Sequence, residues 1–568
     1  MAGTRLSRTL TTADTFSIAT GAMFSSGFFL LPGIAAALTG TSAVLAYLVA
    51  GVLMVPAMLS KAEMATALPR SGGTYFFVDR ALGPLVGVSA GFSTWLALVL
   101  KTAFALLGLA AYVALWFDVP VVPVAVASAL VFTAVNVVST SHSADLQRWL
   151  VGILLATLAA FLVAGGYAAS GIQGTPLLDT ALHTDAFLRN GWGGFAATVG
   201  MVSVSYAGLT KVASVAEEVK DPDTAIPNGM FWALGVTTTI YVVGVTVVLA
   251  LLPSAALTES LAPVGEAAKV AFSGPWETVG TLVVVAAAIA AFVSTANAGL
   301  MAAARYPLAM ARDGAMPARL GEVADNGSPR AAVLLTGGLV IAAVCFDVAS
   351  VAKLASTVQL VLFGLVCASV IVLRESGIDG YVPGFRSPLY PWVQIVGMGV
   401  SGALIVAMGW VPFVFAVTLL VGSALAHRVL VGVHTERRGA IGHVFRRLGE
   451  RACDDIEHEM AGIVAERALY ANPRGRRMVA RVQLGDGTRM DRTIDHRIVD
   501  GRLPAGVLVV LVERGQDAFV PGPTERLLRG DQLTLAGQPD RLELALGDRF
   551  TPDDEGDPVA ATGAASPA

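Results

Sequence analysis

The sequence predicts an all-α polytopic membrane protein of 12 transmembrane helices in a 5+5 inverted repeat, followed by a small cytoplasmic α/β domain. Three observations predict it. The 568 residues are 55% hydrophobic and only 14% charged, with mean hydropathy +0.68, outside the make-up of an ordinary soluble globule. Apolar runs of ~20 residues, the length that crosses a hydrocarbon core, recur along residues 1–433. Two of those runs, five apart, are interrupted by small and polar residues.

The runs lie near 15–37, 42–60, 85–115, 119–139, 149–170, 194–213, 229–252, 278–304, 331–347, 354–373, 390–409 and 411–433. The ninth is short, and the twelfth follows the eleventh across only Gly409, Trp410, Val411 and Pro412. Short loops rich in Lys and Arg stay on the cytoplasmic side. With both termini inside, Arg5, Arg8, Lys61, Arg70, Arg80, Arg148, Arg305, Arg312 and Arg374 fall on that side, and only Arg189, Lys269 and Lys353 fall outside. One false or missing span would reverse every later loop, so the asymmetry supports an even count. The N-terminal MAGTRLSRTLTTAD is short, polar and continuous with a full span, which reads as a retained first helix.

Composition also excludes functions. Net charge is −4, without the basic surface a nucleic-acid partner requires. Cys345, Cys367 and Cys453 are scattered, with neither disulfide nor metal spacing. No nucleophile–base pair, phosphate loop or metal cluster points to an enzyme or a cofactor. No His lies mid-span, which argues against a histidine relay.

The first run contains GAMFSSGFFLLPG, residues 21–33, which sets Ser25, Ser26 and Gly27 side by side. Non-helical backbone at membrane depth persists only where it lines a cavity or is buried in protein, because lipid cannot satisfy freed N–H and C=O groups. Small residues equally serve helix–helix packing. The second interruption, at Ser205, Tyr206, Ala207 and Gly208 in the sixth run, turns the balance toward a broken helix. Interrupted segments at corresponding positions of two halves are the sign of an inverted-repeat transporter, with spans 1–5 and 6–10 as the repeats. Freed amides at a half-helix start suit a carboxylate. Freed carbonyls suit an ammonium group or a bare cation, so a zwitterionic amino acid satisfies both.

GAMFSSGFFLLPG resembles the first-helix motif of the amino acid–polyamine–organocation superfamily of transporters. Three further stretches match in order: AEMATALPRSGGTYFFVDRALGPLVG (62–87), SYAGLTKVASVAEEVKDPDTAIP (205–227) and STANAGLMAAARYPLAMARDGAMP (294–317). The resemblance covers residues 12–433. It implies a five-plus-five core with two extra helices, alternating access, and an amino acid or related organic cation as cargo. It puts the substrate-binding breaks at Ser25, Ser26 and Gly27 and at Ser205, Tyr206, Ala207 and Gly208. It also puts the hydroxyls that hold sodium in some relatives at Ser294 and Thr295. Ser and Thr in a membrane helix also back-bond to a carbonyl one turn earlier, the alternative reading of that pair.

Some proton-coupled relatives place a lysine in the fifth helix where others bind sodium, but LVGILLATLAAFLV (150–163) has none. Lys101 instead lies deep in the third run. A charge at that depth costs ~3 kcal/mol or more, so Lys101 is a functional candidate. Its roles remain open: resident cation, proton carrier, or ligand for an anionic substrate group. Snorkelling to an interface is the alternative. Glu217 and Glu218 follow the sixth run and read as a solvated rim or, with Arg305, an inner gate. Asp14, at the foot of the first helix, reads as an N-cap.

After residue 433 the composition changes. Residues 434–472 read as an amphipathic helical linker whose arginines Arg437, Arg438, Arg446, Arg447 and Arg451 suit membrane lipid headgroups. Residues 473–549 alternate as strands in MVARVQL, GVLVVLVERG and QLTLAG, with turns at RGQD and RGDQ. Residues 550–568 are low-complexity and read as disordered. The segment 503–545, with its Arg-Gly turn and its Leu527, Gly530 and Asp531 turn, resembles the TrkA-C or RCK-C ligand-sensing domains of potassium-channel and potassium-transporter regulators. That resemblance implies a homodimer through the tail and control by a small ligand such as a cyclic dinucleotide.

The first expectation is an amino acid transporter of the plasma membrane, coupled to protons or sodium. The alternatives are a potassium or other cation transporter on the same scaffold, and a transporter-like sensor that signals through its tail.

Overall fold

The structure is a computed structural model. It describes residues 8–430, apart from 70–72, 118, 139–143, 172–186, 313, 315, 325–327 and 379–380. Beyond these it describes short pieces around Ala440 and, in the tail, mainly 478–483, 507–514, 517–521 and 531–537. The predicted linker (434–472) lies outside the described residues except for those pieces, and so does 550–568.

The predicted apolar runs are helical. The first span is split into Thr12–Met23, Ser26–Phe29 and Leu31–Thr39. The second is Ala43–Leu53 with Val55–Ala67, and the third Pro84–Ala114. The fourth and fifth are Val121–Val138 and Ala144–Gly171. The sixth divides into Gly191–Val202 and Leu209–Ser214 around a 3-10 turn at Ser203–Tyr206. The seventh is Pro222–Leu251, the eighth Glu277–Arg312 and the tenth Val348–Ser376. The ninth, eleventh and twelfth are Arg330–Val344, Trp392–Ala407 and Trp410–Leu430.

Among the described residues eight helical stretches are long and apolar enough to cross a membrane, with Leu31–Ala67 forming one of them. The ninth, eleventh and twelfth appear as shorter apolar helices. At ~1.5 Å per residue, the 15 residues of Arg330–Val344 reach only ~22 Å, less than the ~30 Å of hydrocarbon.

The third span is the central column. It packs against the eighth and tenth spans, and Phe104, Leu106 and Leu107 on it are buried. The outer helices turn apolar side chains outward instead: Val131 and Val138 on the fourth, Ile153 and Val163 on the fifth, Val406 on the eleventh. So much exposed apolar surface suits contact with lipid. At the N-terminus Asp14 is not the N-cap. Thr11 is, and Asp14, three residues on, accepts from the Thr11 amide at 2.9 Å and hydroxyl at 2.7 Å while pairing with Arg148 at 2.5 Å. The side chain reaches back to free N–H groups from inside the first turn, as in a capping box.

The chain divides into two units, Met1–Phe445 and Arg446–Ala568. The second contains an antiparallel sheet of strands β1 (Met478–Gln483), β2 (Leu508–Arg514), β3 (Asp517–Phe519) and β4 (Gln532–Gly537), in the order β1-β4-β2-β3. Val512, Leu533 and Leu535 are buried, as alternation along a half-covered strand requires. β2 pairs antiparallel with β3, with Arg514 opposite Asp517, and the middle of the expected RGQD turn, 515–516, lies outside the described residues.

Arg514 also donates to both oxygens of buried Asp531, at 2.8 and 2.9 Å, and the Leu528 amide adds a third bond at 2.7 Å. The Arg514 bonds, aided by the Leu528 amide, hold the Asp531 carboxyl below the usual range against burial, which raises it. A depressed carboxylate stabilises the fold fully above its unfolded pKa, near 3.9, and loses that contribution as pH falls through the folded value. Arg514 is partly solvated, so Asp531→Asn is expected to cost on the order of 1 kcal/mol. Hydrogen exchange of β2 and β4 amides in the full chain, corrected for intrinsic rates, should be faster in the variant at pH 7. As pH falls through the depressed folded-state pKa of Asp531, the two proteins should converge.

Candidate functional site

The first span opens where SSG predicts a break. The Phe24 amide closes the last turn on Thr20 O at 3.0 Å, and Ser25, at φ −154° and ψ −120°, leaves the helical region. Helical bonding resumes when the Phe28 and Phe29 amides bond to Ser25 O at 3.2 and 3.1 Å. The Ser26 and Gly27 amides therefore begin the new half-helix, where no preceding turn supplies a carbonyl.

The sixth span departs from expectation. Its interruption is not an open gap but a tightening of the helix into a 3-10 turn, Ser203–Tyr206, continued by the Ala207 amide bonding to Val204 O at 3.1 Å. Bonds from i to i+3 keep most backbone groups paired while changing the rotation per residue. Ser356 of the tenth span stabilises the change. Its hydroxyl donates to Met201 O and accepts from the Val204 amide at 3.3 Å.

The two interruptions abut. A Cβ on Gly27 would lie 2.6 Å from Ser205 Cβ and 2.9 Å from its Cα. One on Gly208 would lie 2.5 Å from Ala19 O and 2.8 Å from the Met23 amide nitrogen. Only hydrogen fits at either position, which explains the small residues of both motifs.

A second correction concerns the freed carbonyls, which the sequence reading leaves available to an ammonium group. Most already have protein partners. Tyr241 donates to Met23 O at 2.8 Å and reaches Ser205 O at 3.3 Å. Tyr47 donates to Gly27 O at 2.8 Å and Tyr112 to Phe29 O at 2.9 Å, while Tyr206 ties the sixth span to the second through Tyr47 O, a carbonyl outside the breaks, at 2.8 Å. The rings of Phe24, Phe28, Tyr47 and Tyr206 surround Tyr241 within 6.0 Å. A buried phenol needs an acceptor, and a broken helix supplies carbonyls. The Ser25, Thr20 and Thr102 hydroxyls, by contrast, are buried with no hydrogen-bond partner in the structure.

Lys101 reaches the break. Its ammonium donates to Ala22 O at 2.8 Å, a carbonyl released at the end of the first half-helix. Lys101 and Lys211 each keep partial solvent contact among buried neighbours, whereas Lys61 in the second span is 1% exposed and its ammonium has no partner. Ser294 lines a cavity of about 50 Å³ with Gly21, Val151, Leu154 and Ala291, between the first, fifth and eighth spans. Thr295, buried at the next helical position, is not in that lining, since consecutive helix residues point ~100° apart. At the proposed gate, the Thr9 and Leu10 amides bond to Glu218 O at 2.9 Å, tying the N-terminal segment to the end of the sixth span. Arg305 is exposed, and Glu217 is half-buried.

The sequence reading did not find the densest polar cluster among the described residues. Glu63, fully buried near the end of the second span, accepts two bonds from Arg374 of the tenth span, each 2.7 Å. Tyr381 adds one at 2.8 Å, and Ser387 adds two, from its amide at 2.9 Å and hydroxyl at 2.7 Å. Gln394 of the eleventh span donates to the Ser387 hydroxyl at 2.6 Å, and Arg374 stacks on the Tyr390 ring at 4.4 Å. The only sequence signal was a carboxylate placed inside a helix otherwise rich in Ala and Met.

With this architecture in place, comparison with known proteins gives the family. The amino acid permease profile matches residues 10–431, and the chain belongs to that family, within the amino acid–polyamine–organocation superfamily. A TrkA-C domain profile matches residues 489–546. The chain is 27% identical over 444 residues to the amino-acid permease RocE of Bacillus subtilis (strain 168), covering 72% of this chain and 91% of that protein. It is 32% identical over 393 residues to the uncharacterised transporter Rv1999c of Mycobacterium tuberculosis (69% and 85% covered). It is 27% identical over 425 residues to the branched-chain amino acid permease BcaP of Lactococcus lactis (70% and 89% covered). The protein is thus a multi-pass membrane permease with a TrkA-C domain at its C-terminal end.

Proposed function

We propose that this protein carries amino acids across the plasma membrane by alternating access, with the solute held where the first and sixth spans are interrupted. The observation that carries the reading is the break at Ser25, where the Ser26 and Gly27 amides open a half-helix beside Ser205. Amides at a helix start, with its positive dipole end, hold a carboxylate. Tyr206, Ala207 and Gly208 close the other side of the site.

Coupling is to protons. The Lys101 ammonium on Ala22 O is a resident cation at a carbonyl that would otherwise call for a bound metal ion, so sodium is not required. Ser294, beside its cavity, and Thr295 belong to the neighbouring hydroxyl pair. Glu217, Glu218 and Arg305 form the inner gate, both termini are cytoplasmic, and the tail regulates transport as a homodimer that binds a small ligand.

The test is uptake of a labelled amino-acid panel, with a rubidium arm, into proteoliposomes under imposed proton or sodium gradients. Uptake driven by the proton gradient and indifferent to sodium is expected. Rubidium uptake without amino acid uptake would establish the cation reading that the TrkA-C domain favours.

A further inference from the structure

In an unbroken helix each amide bonds to the carbonyl four residues before it, so the Ser26 amide would close on Ala22 O and the Gly27 amide on Met23 O. Both acceptors are engaged elsewhere. The Lys101 ammonium of the third span donates to Ala22 O at 2.8 Å, and the Tyr241 hydroxyl of the seventh donates to Met23 O at 2.8 Å. Met23 O also accepts from the Ser25 amide at 3.0 Å, which fills its two lone pairs. The two amides that open the half-helix are the two whose helical acceptors are occupied by side chains from other spans.

Ser and Gly weaken a helix without forbidding it. Away from water a free amide closes on any carbonyl within reach, so with Met23 O available the Gly27 amide would bond there and the helix would run on. Tyr241 is fixed against that outcome. It is fully buried, its ring lies parallel to Phe28 at 6.0 Å, and Phe24, Tyr47 and Tyr206 each meet it edge-on at 5.4 Å. Its hydroxyl also lies 3.3 Å from Ser205 O, at the contact between the two interruptions.

Resting on the transporter reading above, we propose that Tyr241 is a positioning residue of the solute site. By occupying Met23 O it keeps the Gly27 amide free for the solute carboxylate, as Lys101 on Ala22 O keeps the Ser26 amide free. Donors set in place before the solute arrives need not be ordered by it, which strengthens binding. The role belongs to the hydroxyl, so phenylalanine keeps the packing and loses the effect.

The experiment uses the full chain in proteoliposomes with labelled leucine, arginine and glutamate, each competed by its unlabelled α-amide. The α-amide keeps the ammonium group and side chain and lacks the α-carboxylate charge. Tyr241→Phe should raise the apparent KM for the carried acid roughly tenfold, the equivalent of one hydrogen bond to a charged group, and move competition by the α-amide less than about twofold. A loss confined to packing would weaken acid and α-amide alike. That result, or an unchanged KM, would overturn the assignment and leave amino acid carriage standing, whereas no uptake of any of the three by the unaltered protein would overturn both. If Tyr241→Phe does not fold, hydrogen exchange at the Ser26 and Gly27 amides of the unaltered protein decides the question. Exchange slowed by the carried acid and not by its α-amide is expected, and any other pattern overturns the assignment.

Discussion

Gly27→Ala should reduce solute uptake at least tenfold while the protein still reaches the membrane. The added methyl would sit 2.6 Å from Ser205 Cβ and Oγ and 2.9 Å from Ser205 Cα. A hydroxyl can rotate away, but a Cα moves only with its helix, so the first and sixth spans must separate. Overpacking of this kind costs about 1–3 kcal/mol. Here it falls on the segment that also anchors the Tyr47 hydroxyl to Gly27 O. Gly208→Ala should behave alike, because its methyl would meet two backbone atoms, Ala19 O and the Met23 nitrogen. Gly152→Ala in the fifth span, where nothing lies within 4 Å, is the control and should leave uptake unchanged. Uptake rates with detergent melting curves for the three variants check the prediction. Unaltered transport by Gly27→Ala would separate the break from the solute path.

The break was readable because its cause is local. Ser25, Ser26 and Gly27 disfavour an unbroken helix through their own chemistry, and the apolar run around them fixes the depth. The sixth-span interruption was readable in position but not in kind. Whether small residues unwind a helix or tighten it depends on who meets the displaced groups, and Ser356, 152 residues beyond Val204, does so.

The tyrosine caps were hidden for the same reason. Tyr241 is 218 residues from the carbonyl it caps, and in an apolar run its ring looks like any core aromatic. Lys101 stood out because a charge in an apolar run demands a partner, yet the choice of Ala22 O is a tertiary fact. In the tail, alternation disclosed strands β1, β2 and β4. The three residues of β3 carry too little pattern to separate from a turn.

Glu63 was overlooked because it sits near the end of its span, where a carboxylate is normally solvated, and its partner Arg374 is 311 residues away. The burial of this carboxylate makes Glu63→Gln the substitution expected to cost the most stability. The five bonds it accepts come only from donors: two guanidinium N–H groups, the Tyr381 and Ser387 hydroxyls and the Ser387 amide. An amide in its place turns an NH2 toward some of those donors and leaves Arg374, 18% exposed, with an unbalanced charge. Breaking a buried pair from one side costs about 3–5 kcal/mol, far more than the net worth of the pair. Arg374→Gln should cost less, because that side chain is partly hydrated, while the double variant should cost well under the sum of the two. Melting curves of the three variants give the coupling directly. Since the cluster joins the second, tenth and eleventh spans, a large coupling would identify it as the clamp that fixes those spans together, and additive losses would show that Glu63 and Arg374 act independently of one another.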